Sequence, residues 1–132
     1  MKKMELNAGN TIFKKGDPSD GLYIVGKGSV GIYFPTNQMM EKPDIVLKAN
    51  EILGEMGVID KSLRAGRADA ISDVTLIKIS QYEFSDKLSK SDPFITGLTR
   101  VLVTRIRGLL KRTASNETIK QDIETNNQNS EA

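Results

Sequence analysis

The chain has 132 residues, a formal net charge of +2, no cysteine and no histidine. That length suits one domain with one core, and the near-neutral charge by itself argues for no nucleic-acid partner. Disulfides, Cys/His zinc sites, thiol nucleophiles and imidazole acid–base chemistry are all excluded. No apolar run follows Lys2-Lys3, and no stretch approaches the ~20 apolar residues of a membrane span, so a soluble, cytoplasmic setting is expected.

In chain order, Thr11-Ile12-Phe13 reads as a short strand closed by the turn Lys14-Lys15-Gly16-Asp17-Pro18. A strand is expected over 21–25, a tight turn at Gly26-Lys27-Gly28 and an alternating strand over 29–34, the two strands forming a hairpin. Residues 35–43 read as a loop and 44–47 as a strand; two more strands, 68–71 and 74–79, are split by Ser72-Asp73. Many short strands with Gly and Pro turns predict a sandwich or barrel-like roll. Ser80 and Glu83 have capping-box spacing ahead of a helix over 81–88. Asp92-Pro93 starts a longer helix, with an apolar stripe of Phe94, Leu98, Val101, Leu102, Ile106, Leu109 and Leu110, ending near Arg112. Residues 113–132 are polar and are expected to form a disordered tail beside a domain spanning 1–112.

Chemistry is concentrated between Leu53 and Arg67. Gly54 and Gly57 bracket what would be a short helical turn, where the backbone can approach a ligand closely. Arg64 offers a planar guanidinium suited to phosphate, and the small Ala65 and Gly66 leave their N–H groups accessible. Glu55 would repel a phosphate unless it accepts a hydrogen bond from a sugar hydroxyl. Phosphate and ribose held by one loop suggest a cyclic nucleotide. A second reading is that Glu55 and Arg64 pair with each other.

The run Gly54-Glu55-Met56-Gly57, followed by Arg64-Ala65-Gly66, resembles the phosphate-binding cassette of cyclic-nucleotide-binding domains. That family includes kinase A regulatory subunits, cyclic-nucleotide-gated channels and catabolite-activator-like transcription factors. The similarity extends through Phe13-Lys14-Lys15-Gly16-Asp17, Leu22-Tyr23-Ile24-Val25, Gly28-Ser29-Val30, Glu83-Phe84 and Leu102-Val103-Thr104-Arg105-Ile106. The resemblance implies a mainly β fold with C-terminal helices: a double-stranded, jelly-roll-like β-roll carrying the cassette, with a C-terminal lid or hinge helix. It implies that Glu55 binds the ribose 2′-hydroxyl and Arg64 the cyclic phosphate. N–H groups near Gly57, Val58 and Ala65 would complete the phosphate cradle, and Ile32 and Met56 would pack around the nucleotide. Ala65 lacks the hydroxyl that favours cGMP in the family, so cAMP is the expected ligand and cGMP the less favoured one.

Departures from the family pattern are Leu63 before the arginine, Arg67 after it and Leu53 before the Gly-Glu pair. Arg67 is expected to face solvent, the alternatives being a role in holding ligand or a pair with Asp60 or Asp69. Asp17 and Asp20 are expected to make local turn contacts, and Arg100, Arg105, Arg107, Lys111 and Arg112 a solvated face rather than a nucleic-acid strip. The apolar stripe on the last helix fits either a homodimer through 93–112 or packing on its own roll. The reading is a stand-alone, non-enzymatic sensor without a cofactor or metal, whose last helix relays ligand binding to an unknown protein partner. No DNA-reading element follows that helix, so sequence-specific DNA binding is not expected. The alternative is a degenerate roll that serves only as an interaction module.

Overall fold

A computed structural model describes residues 1–130, with side-chain surroundings for residues 1–112. Eight strands come first: β1 (Lys2–Leu6), β2 (Thr11–Phe13), β3 (Gly21–Lys27), β4 (Val30–Tyr33), β5 (Ile45–Leu47), β6 (Ile52–Leu53), β7 (Arg67–Ala70) and β8 (Val74–Ser80). Helix α1 (Glu55–Asp60) interrupts them, and α2 (Gln81–Ser89) and α3 (Pro93–Ser130) follow. The strands form two four-stranded sheets, ordered β1-β8-β3-β6 and β2-β7-β4-β5. Each pairing in the first sheet is repeated one strand along in the second. β1 pairs with β8 as β2 does with β7, β3 with β8 as β4 with β7, and β3 with β6 as β4 with β5, all antiparallel. The chain is therefore a double-stranded ribbon rolled over on itself, the expected β-roll.

The expected hairpin between β3 and β4 does not form, because the turn carries the chain from one sheet to the other. Gly28 makes that corner at φ 89°, and a Cβ there would collide with the carbonyl of Asp73. The returning corner between β7 and β8 packs beside it: Ile71 N–H donates to the Ser29 carbonyl at 3.0 Å, and Ser29 N–H to Ser72 Oγ at 3.0 Å. Two corners thus satisfy each other's backbone groups where neither has a ladder partner.

Between the sheets lie Tyr23, Val25, Val30, Leu53, Ala68, Ala70, Val74 and Leu76, with Met4, Leu6, Ile12, Phe13, Ile32 and Leu47 packed against them. Ser80 and Glu83 form the expected capping box: Ser80 Oγ accepts from Glu83 N–H at 3.1 Å while Glu83 accepts from Ser80 N–H at 3.3 Å. Asp92 caps the start of α3, its carboxylate accepting from Phe94 N–H at 2.8 Å. Helix α3 does not stop near Arg112 but continues to Ser130. Past Gly108 the sequence holds neither proline nor glycine to break it. The side chains of residues 113–132 lie outside the described residues, and with them the expectation of a tail excluded from the core. Among the described residues no helix is long and apolar enough to cross a membrane.

Candidate functional site

Arg64 is held from the turn that the sequence marks most strongly. Arg64 N–H donates to the Asp17 carbonyl at 2.8 Å, and Gly16 N–H returns a bond to the Arg64 carbonyl at 2.8 Å. Asp17 closes the same turn by accepting from Lys14 N–H at 2.9 Å. Ser19 Oγ then donates to the Ser62 carbonyl at 2.6 Å. Residues 14–20 are in this way a frame on which the loop 61–66 is mounted.

The Arg64 side chain is 3% exposed. Its Nη1–H donates to the Gly54 carbonyl at 2.8 Å and its Nη2–H to the Gly21 carbonyl at 2.5 Å. Asp20 lies 3.7 Å from Nη2, and the guanidinium stacks on Phe13, 4.3 Å from the ring centre. The remaining donor, Nε–H, is buried and has no partner. Burial pushes the guanidinium below its ordinary pKa, opposed by the charges of Tyr23, Asp20, Asp17 and Glu55. A buried cation with an unfilled donor is costly unless an anion meets it.

Helix α1 supplies the other half. Gly54 is its N-cap at φ 78°, and a Cβ there would stand 2.6 Å from Arg64 Nη1. In a helix that begins at Glu55, the amides of Glu55, Met56 and Gly57 have no carbonyl one turn earlier, whereas that of Val58 has Gly54's. Val58 is also buried and faces the groove between α1, α2 and α3 rather than the loop 63–66. Of the residues expected to hold ligand, Val58 is the one that does not line the cavity beside Arg64. Gly57 is closely packed, since a Cβ on it would collide with Ser19 Oγ.

These elements bound a cavity of about 320 Å³, within the usual size of a small-molecule site. Ile32, Gly54, Glu55, Met56, Gly57, Arg64, Ala65 and Gly66 all line it. Glu55 and Arg64 share the cavity without forming an ion pair among the described residues, which disfavours mutual pairing as their purpose. β5, β6 and the loop after β4 add apolar walls, and α3 contributes Ile106, Arg107 and Leu110 to the lining. These α3 residues were not expected to line the site. Their stripe periodicity was legible, but which part of the helix meets the roll depends on tertiary packing.

Three surface expectations change. Arg67 is not left to solvent: its Nε–H donates to both Asp69 carboxylate oxygens at 2.9 and 3.1 Å and its Nη2–H to Thr11 Oγ1 at 3.0 Å. β7 places Arg67 and Asp69 on one face of the strand, two residues apart. Asp20 does not cap its own turn but accepts from Lys78 Nζ at 2.7 Å, which raises the pKa of that lysine. Arg107 leaves the solvated face of α3 and donates to Asp60 from Nε at 2.6 Å.

Residues 3–91 match the family model described as the cyclic nucleotide-binding domain. The chain belongs to this family. Among solved structures, the cAMP-bound form of EAL enzyme Bd1971 has a TM-score of 0.73 and 31% identity, covering 94% of this chain and 33% of that one. Its cGMP-bound form gives 0.74 and 29%, covering 98% and 34%. Among curated proteins, lysophospholipase NTE1 of Chaetomium globosum is 29% identical over 81% of this chain but only 7% of its own length. A CRP-like cAMP-activated global transcriptional regulator of Mycobacterium tuberculosis is 24% identical over 81% of this chain and 48% of its own. The chain thus spans less than half of each of these proteins.

Proposed function

We propose that this domain is a cAMP sensor with a regulatory rather than catalytic role. The observation that carries the reading is the buried Arg64, which has an unpartnered Nε–H and lines a cavity shared with Glu55. A cyclic phosphate would take that donor together with the free amides at the start of α1 and near Ala65. Glu55 would accept from the ribose 2′-hydroxyl, and Ile32 and Met56 would pack on the nucleotide. Ala65 offers guanine no hydroxyl, which supports cAMP over cGMP. Binding would shift the populations of α3, whose Ile106 and Leu110 wall the cavity. A partner protein would read that position. A second copy pairing along the exposed Ile95, Leu98, Val101 and Leu102 would be one such partner.

The test is thermal unfolding with cAMP, cGMP and 5′-AMP, each at about 1 mM. Ligand that binds only the native state stabilises it by about 4 kcal/mol at 1,000 times its Kd. The expected order is a large shift with cAMP, a smaller one with cGMP and none with 5′-AMP. No shift with any of the three would leave the roll as an interaction module.

A further inference from the structure

We propose that Arg107, Asp60 and Ser62 form a clasp that latches α3 over the cavity and sets how long a nucleotide stays bound, with Arg107 as a positioning residue. The proposal rests on the cavity being a nucleotide site. Arg107 donates to Asp60 through Nε at 2.6 Å and Nη2 at 3.2 Å, and Nη2 also donates to Ser62 Oγ at 2.5 Å. Ser62 in turn gives its hydroxyl to Asp60 at 2.6 Å and its N–H at 3.1 Å. All four donors converge on one carboxylate and its neighbour, a bidentate arrangement that fixes direction as well as distance.

The place of the clasp gives it a function. Asp60 is the last residue of α1, and Ser62 lies two residues before Arg64 in the loop that holds the guanidinium. The carbonyl of Ser62 is tied to Ser19, on the frame that also fixes the Arg64 backbone. At the other end, Arg107 sits on α3 between Ile106 and Leu110, which line the cavity. The only charged tie between α3 and the rest of the fold among the described residues therefore ends beside the phosphate arginine. Arg107 and Asp60 side chains are 21% and 29% exposed, so the pair is neither fully screened nor fully dry. Such a contact is strong enough to hold a lid and weak enough to open. Ile106 and Leu110 form part of the cavity wall, and their withdrawal would part Arg107 from Asp60.

The experiment is stopped-flow displacement of a fluorescent cAMP analogue by excess cAMP from wild type, Arg107→Ala, Arg107→Lys, Asp60→Ala and the Arg107→Ala/Asp60→Ala double variant. Both alanine variants are expected to release the analogue on the order of tenfold faster. The double variant should be no faster than either, and lysine should restore part of the residence time. Hydrogen exchange of residues 98–110 in the unliganded protein should quicken in both single alanine variants. Unchanged release from both would overturn the clasp. So would fast release from Arg107→Ala beside normal release from Asp60→Ala, because Arg107 would then act on the ligand directly. If wild type binds no analogue, the nucleotide reading fails, and equal exchange in wild type and variants would then sink the clasp separately.

Discussion

Arg64 is a cation whose surroundings are built mostly of carbonyls and an aromatic face rather than carboxylates. Two of its donors hold Gly54 and Gly21, so the side chain stitches α1 to β3, while its buried Nε–H has no partner. Arg64→Lys keeps the charge but cannot reproduce that fork. It should lose the cAMP-induced thermal shift and also lower the unliganded midpoint, because the Gly54 and Gly21 carbonyls lose their paired donors; a retained shift would remove Arg64 from the binding role. Gly57 tests the frame independently. Any Cβ there meets Ser19 Oγ, and the Ser62 carbonyl lies 3.0 Å away. Gly57→Ala should cost about 1–3 kcal/mol in denaturant unfolding, partly recovered by Ser19→Gly; an unchanged midpoint would show that the frame yields. Gly54, Glu55, Gly57 and Arg64 were legible because they stand within one short run whose residue types suit phosphate and ribose. Phe13 and Arg107 were not legible as site residues. Phe13 reaches the guanidinium from fifty-odd residues upstream and Arg107 reaches the cavity from beyond the roll, and no local pattern announces either contact.

Among elements, the helix starts were read most closely, the strands less so, and the end of α3 was missed. Ser80-Glu83 and Asp92-Pro93 are local chemistry, complete within four residues, and both caps form as their spacing predicts. Ser80→Ala should therefore destabilise the protein by about 1 kcal/mol without altering nucleotide release, measured by urea unfolding. β1 escaped because Lys2, Lys3 and Glu5 make an edge strand look like a polar leader; only Met4 and Leu6 turn inward. β6 is two residues long, below what alternation can reveal. The false hairpin arose because Gly26-Lys27-Gly28 is turn chemistry for either a hairpin or a corner, and only the partner strands decide which. The end of α1 has its own pH signature. Burial tends to raise the Asp60 pKa, but hydrogen bonds from Arg107 and Ser62 outweigh it and hold the carboxyl below its ordinary value. A carboxylate depressed in the folded state stabilises above its unfolded pKa and loses that contribution as pH falls through the folded one. The stability gap between wild type and Asp60→Asn should be constant from neutrality down to roughly pH 4, then close at lower pH. A gap that persisted into strong acid would mean that Asp60 is not held as a carboxylate by Arg107.

At the scale of the whole molecule, the rolled ribbon brings residues distant in sequence around one cavity and leaves α3 mounted chiefly on α1 and α2. A helix attached in that way can move without unzipping a strand, which is what a ligand-responsive element requires. Its outer side has a second property. Ile95, Leu98 and Leu102 are exposed and follow one another at spacings of three and four residues, typical of a paired-helix seam, with Arg105 at the next seam position, seven residues after Leu98. Three apolar residues favour pairing with a second α3, and the arginine opposes it because two copies would set like charges against each other. The expected result is a weak, concentration-dependent dimer in sedimentation equilibrium. Leu102→Glu should abolish it while leaving the cAMP-induced thermal shift in place, since Leu102 does not line the cavity. Arg105→Leu should tighten it by removing the charge from the seam. If wild type stays monomeric and Arg105→Leu does too, the outer face of α3 is not a homodimer seam, and the partner that reads α3 must be another protein.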